Sequence, residues 1–158
     1  MNLFENMKGI SIFSGCLFNT FYRTIRSGAI LVNLIMIIFG GAIGALLRYL
    51  VSGAVHKYLD TAFPIGTLVV NMTGCLFIGF LTQLFENFIV SSTFRNFLLI
   101  GVLGAFTTFS TFGFESLSMI RDGEIKYAFL NISISVIIGL VFVFAGIILA
   151  RLSVNVFK

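Results

Sequence analysis

The sequence predicts an all-α integral membrane protein of four membrane-spanning helices, the third of them broken. Composition is the first reason: of 158 residues, 58% are hydrophobic and only 10% charged, against roughly 25% charged in a soluble globular domain. Segmentation is the second. Apolar stretches run over residues 30–51, 65–85, 97–120 and 127–150, and about 20 such residues cross the hydrocarbon. The third is residues 104–115, GAFTTFSTFGFE, where threonines and a serine alternate with phenylalanines in mid-span. Hydrocarbon offers no water to loose backbone groups, so polar, breakable backbone at that depth belongs where protein buries it or a cavity meets it. Broken helices there hold ions, because freed carbonyls and amides converge on one spot. An ion site is expected at this break.

The first span carries GGAIGALLRY over residues 40–49. Gly40 and Gly44 form a small-xxx-small pair that lets two helices approach closely. Arg48 is the sharper feature, since charge within a membrane is costly and tends to be functional. Its place near the span end also allows it to snorkel to the surface, leaving both an anion-attracting and a structural role open. The second span opens with FPIGTLVVNMTG, residues 63–74. Pro64 suits a helix start, where its missing amide is no loss. Asn71 lies two turns in, and an amide in hydrocarbon needs a partner. It is equally readable as interhelical glue or as a donor facing an anion.

The third span supplies Phe109 and Phe112, three apart and on one side of a helix. A phenyl ring has a positive edge as well as a negative face, so rings edge-on to a path attract a small anion while keeping the wall apolar. The fourth span has Asn131, Ser133 and Ser135 near its start, and Asn131 and Ser135 share a face. With Asn71, Ser110 and Thr111 they could form a ladder of neutral donors, or each could bond a neighbouring carbonyl.

Little in the chain suits catalysis. It has one histidine, His56, read as interfacial in the first loop, and two cysteines, Cys16 and Cys75. These make no nucleophile–base pair or metal cluster, and Cys75 reads as a small buried hydrophobe. The net charge of +4 suits contact with anionic membrane lipids and gives no reason to expect nucleic acid.

Residues 1–28 stand apart. Ile10, Phe13, Leu17, Phe21 and Ile25 recur at helical spacing, predicting an amphipathic interfacial helix, with a disordered extension as the alternative. The four-helix domain then spans 29–158. Four spans put six basic residues (Lys8, Arg23, Arg26, Arg95, Arg151 and Lys158) on one side, and Lys57, Arg121 and Lys126 on the other, with Arg48 near the membrane edge as a fourth there. Without the extension the bias vanishes, and the positive-inside rule gives no instruction. A core without bias can insert both ways, and opposite copies can pair about an axis in the membrane plane.

The three motifs GGAIGALLRY, FPIGTLVVNMTG and GAFTTFSTFGFE, in that order and spacing, closely resemble the CrcB/Fluc fluoride channels, over residues 30–151. The resemblance implies an antiparallel, dual-topology homodimer in the inner or plasma membrane that exports fluoride passively through two pores. It implies a structural sodium ion at the dimer centre, held by the carbonyls of Gly104 and Thr107. Phe109 and Phe112 would turn ring edges toward fluoride, and Asn71 would be the pore asparagine. Ser110 and Thr111 would add hydroxyls and Ser135 would be the fourth-span polar position. Glu115 matches the acidic residue after the break, and Arg48 the first-span arginine. Gly113 departs from the serine frequent in relatives. A heterodimeric subunit is the alternative within the same fold. A small dual-topology exporter of cationic drugs is the alternative outside it, for which Glu115 is the only candidate embedded acid.

Overall fold

The computed structural model describes residues 28–59, 61 and 63–156. The expected N-terminal amphipathic segment therefore lies outside the described residues. The chain divides into two units, Met1–Ile35 and Met36–Lys158. The first contributes the described start of helix α1, and the remaining architecture belongs to the second.

The helices are α1 (Gly28–Tyr58), α2 (Ile65–Asn87), α3 (Ser92–Asn96), α4 (Gly104–Phe106), α5 (Phe109–Arg121) and α6 (Ile125–Val156). A π-helical segment, Phe97–Leu103, joins α3 to α4. Among the described residues, four stretches are long and apolar enough to span a membrane: Ile30–Tyr58, Ile65–Asn87, Ser92–Arg121 and Ile125–Val154. They are the four expected spans, with different ends. The first runs through His56 and Lys57, which occupy the last turn of α1 rather than a loop. A basic last turn favours this extension, because cations oppose the negative helix end. Pro64 caps α2 from outside, one residue before its first turn.

The third span is interrupted twice. Over Phe97–Leu103 the helix is wide: the Gly104 N–H donates back to the Leu99 carbonyl, five residues earlier. Such π turns are uncommon and concentrate at functional sites. The break itself falls at Thr107 and Thr108, whose backbones are extended (φ −77°, ψ 157° and φ −146°, ψ 113°). Helix α5 ends in a tight reversal. The Glu124 N–H reaches the Met119 carbonyl at 2.8 Å and the Gly123 N–H the Ile120 carbonyl at 3.2 Å. Gly123 takes φ 83°, a left-handed conformation that glycine adopts without steric cost.

Glycines set the helix spacings. A methyl at Gly40 would lie 2.6 Å from the Phe97 carbonyl oxygen, and one at Gly44 3.0 Å from the Phe106 amide and nearer still to the Val102 carbonyl. The small-residue pair of the first span is thus a seam against the third, and it runs along the π-helical segment. Helices α2 and α6 pair extensively. There Gly79 meets the Val143 backbone and Gly146 the backbones of Leu76 and Phe80. Since backbone cannot step aside, Gly44→Ala is expected to cost about 1–3 kcal/mol and Gly44→Val more. Thermal unfolding in detergent measures it, and a variant as stable as the parent would remove the seam.

Candidate functional site

The site grows from one amide. Asn71 projects from α2 onto the break and satisfies both sides of one peptide residue. Its Nδ2 donates to the Thr108 carbonyl at 3.0 Å, and the Thr108 N–H donates to its Oδ1 at 2.8 Å. In an unbroken helix the Thr108 N–H would bond the Gly104 carbonyl. Asn71 diverts that donor, so the helix opens and the Gly104 carbonyl loses its usual partner.

Thr108 is the hinge. Its side chain caps α5, accepting from the Thr111 N–H at 3.3 Å, and its hydroxyl lies 2.9 Å from that of Thr111 and 3.4 Å from that of Ser110. Three hydroxyls therefore gather at a helix N-terminus, where unpaired amides and the helix dipole favour negative charge. On the other side of the break, Thr107 is anchored to the Leu103 carbonyl by its N–H and its hydroxyl, both at 3.0 Å. Gly74 permits the approach of α2, since a Cβ there would strike the Thr107 methyl.

Gly104, Thr107, Thr108, Phe109 and Asn71 border a cavity of about 290 Å³, together with Cys75. Cys75 is half-buried. Phe109 is 83% exposed, an uncovered aromatic at the mouth of the break, while Phe112 is half-buried. Their rings lie 5.5 Å apart at 48°, on one side of α5 as the three-residue spacing requires.

The remaining sequence-derived residues are spread more widely. Glu115 is held on α5 by Thr67 of α2, whose hydroxyl donates to Oε1 at 2.7 Å. The other oxygen, Oε2, is buried with no hydrogen-bond partner among the described residues. Arg48 lines a separate cavity of about 480 Å³ with Ser52 and His56, on one face of α1. Ser135 is half-buried on α6. Asn131 lies deep between α6 and α5, 2% exposed, and its amide donates to Ser116 at 3.0 Å. Both amides of the anticipated ladder are thus engaged within the protomer. Ser110 and Thr111 are exposed on the first turn of α5.

Two residues went unnamed in the sequence. Thr108 was legible as the threonine before a capped helix, a common N-cap. The pairing of Thr67 with Glu115, 48 positions on, leaves no sequence signal.

Four apolar spans, the third opened by a break on which polar groups converge, describe a multi-pass membrane protein. The chain belongs to the CrcB family: the family described as CrcB-like protein, Camphor Resistance (CrcB), matches residues 35–147. Three curated relatives bear the name fluoride-specific ion channel FluC. That of Maridesulfovibrio salexigens is 47% identical over 117 residues, 73% of this chain and 93% of the relative. That of Hydrogenovibrio crunogenus is 48% identical over 117 residues, covering 73% and 89%. The Pyrococcus horikoshii protein is 44% identical over 117 residues, covering 73% and 94%. The family is one of channels, not enzymes.

Proposed function

We propose that this chain is a fluoride-selective channel that lets fluoride leave the cell passively across the inner or plasma membrane. The observation that carries the reading is the break at Thr107–Thr108. It is pinned open by Asn71, crowned by the hydroxyls of Ser110 and Thr111, and followed at once by the Phe109–Phe112 pair. Neutral donors replace the water of a small, strongly hydrated anion without trapping it, as a fixed cation would. Ser135 continues the polar path along the fourth span, and Arg48 draws anions toward it from the membrane edge. Fluoride that enters as its neutral acid then leaks out as the anion, which lowers the cytoplasmic concentration.

The channel is an antiparallel, dual-topology homodimer in this reading. A two-fold axis in the membrane plane brings two breaks face to face. The residues suit a structural sodium ion between them. The Gly104 carbonyl has lost its usual donor, Gly104 and Thr107 border an open cavity, and small hard cations take oxygen ligands. Two carbonyls from each protomer would hold the ion, which would offset repulsion between anions in neighbouring pores.

Efflux from vesicles containing the purified protein tests both parts. Fluoride should leave much faster than chloride, with no proton gradient or drug cation required. Equal rates for the two anions would overturn the selectivity, and proton-coupled cation export would favour the drug-exporter alternative through Glu115. Replacing sodium by a bulky organic cation throughout should lower fluoride flux and destabilise the dimer, whereas Thr107→Ser, which keeps the carbonyl, should not. Indifference to sodium would remove the central ion.

A further inference from the structure

Helix α5 carries the phenylalanines of the proposed path, so whatever fixes its rotation fixes their rings. Three polar pins hold it. Asn71 grips Thr108 at its start, and Thr67 grips Glu115 two turns on. Both of these come from α2 and set the height of α5 and one edge. The third comes from α6: Asn131 donates through Nδ2 to Ser116 Oγ at 3.0 Å, and Ser116 Oγ donates to the Phe112 carbonyl at 2.8 Å.

We infer that Asn131 is a positioning residue which, through Ser116, locks the rotation of α5 and thereby the ring of Phe112. Ser116 and Phe112 are four apart and share a helix face. The relay from α6 therefore ends on the backbone of the residue whose ring it orients. Both members are enclosed, at 2% and 5% exposure. In such surroundings consecutive hydrogen bonds reinforce one another, and an unpaired group is costly. Packing agrees, since α5 makes more contact with α6 than with α2, so a pin on α6 controls the larger interface. Asn131 borders neither of the two cavities described above. Its amide meets a serine, which distinguishes this role from that of a donor to the ion.

The inference rests on the reading that Phe112 borders the fluoride path. Asn131→Leu, Ser116→Ala, the double variant and Ser116→Thr of the full chain are compared by fluoride efflux, chloride efflux and thermal unfolding. Each of the first two should slow fluoride by roughly tenfold, the effect of losing about one buried hydrogen bond, and narrow the fluoride-to-chloride ratio. The double variant should be no slower than the slower single, and Ser116→Thr, which keeps the hydroxyl, should conduct like the parent. If Asn131→Leu does not assemble, Ser116→Ala against Ser116→Thr decides alone. Full conduction in Ser116→Ala beside a silent Asn131→Leu would overturn the inference, because Asn131 would then act on the ion itself. Multiplying effects, or lost stability with an unchanged anion ratio, would overturn it too. Were Phe112→Ile to conduct normally, the path reading would fail, while the coupling of Asn131 to Ser116 in thermal unfolding would still be measurable.

Discussion

Replacing Phe109 or Phe112 by isoleucine should cut fluoride efflux by up to roughly tenfold and leave the proposed dimer intact. Isoleucine keeps the apolar bulk and removes the aromatic quadrupole, whose positive edge is the only part of phenylalanine that attracts an anion. Quadrupole contacts between aromatic rings are worth about 0.5–1.5 kcal/mol and set the scale for an anion at the ring edge, and 1.4 kcal/mol corresponds to a factor of ten. The two positions should differ in stability. Phe109 is 83% exposed in the protomer, so its replacement disturbs little packing there, whereas Phe112 is half-buried and leaves a small void. A flux loss without a stability loss at Phe109 is therefore the cleaner evidence for a ring at the path. Vesicle efflux paired with gel filtration supplies both readings, and unimpaired flux in both variants would take the rings out of the pathway.

The spans were legible because twenty consecutive apolar residues have few other homes, but their ends were not. Helix α1 runs through His56 and Lys57, since charge near a span end marks a membrane boundary, and a helix can pass it as its side chains snorkel. The break was legible as a region. Polar residues in mid-span announced it, yet which residues become extended is decided by Asn71, 37 positions away, when it takes the Thr108 N–H. The π-helical turn over Phe97–Leu103 left no mark in the sequence at all. Gly40 and Gly44 seat against that segment, and periodicity is blind to a one-residue widening.

The asparagines show the same boundary between pattern and packing. Asn71 and Asn131 looked alike in the sequence: each is a lone amide in a span that must find a partner. One found the backbone of a broken helix and the other a buried serine. Residue type told that a partner exists, and tertiary structure alone told which. For Asn131 the outcome is a bond to a neighbouring side chain within the protomer. For Asn71 it binds two readings together, because the side chain that props the break open also borders its cavity.

That double duty makes Asn71 a sensitive position. Asn71→Ala leaves the Thr108 N–H and carbonyl without partners in a residue only 7% exposed, and each orphaned group costs about 1–3 kcal/mol. Thr108 should then reclaim the Gly104 carbonyl, closing the helix and removing the proposed sodium ligand. Lower thermal stability and loss of flux should appear together. Asn71→Asp separates the roles. Its carboxylate can still accept from the Thr108 N–H, but it has no N–H for the Thr108 carbonyl and sets a negative charge beside the proposed path. Two like charges 4 Å apart at an effective dielectric of 20 repel by about 4 kcal/mol, enough to abolish measurable fluoride efflux even where the fold survives. The expected result is a silent Asp variant that still purifies in the parent's oligomeric state and an Ala variant that is silent and less stable. An Asn71→Asp channel conducting at the parent rate would mean that the amide props the helix and never meets the ion.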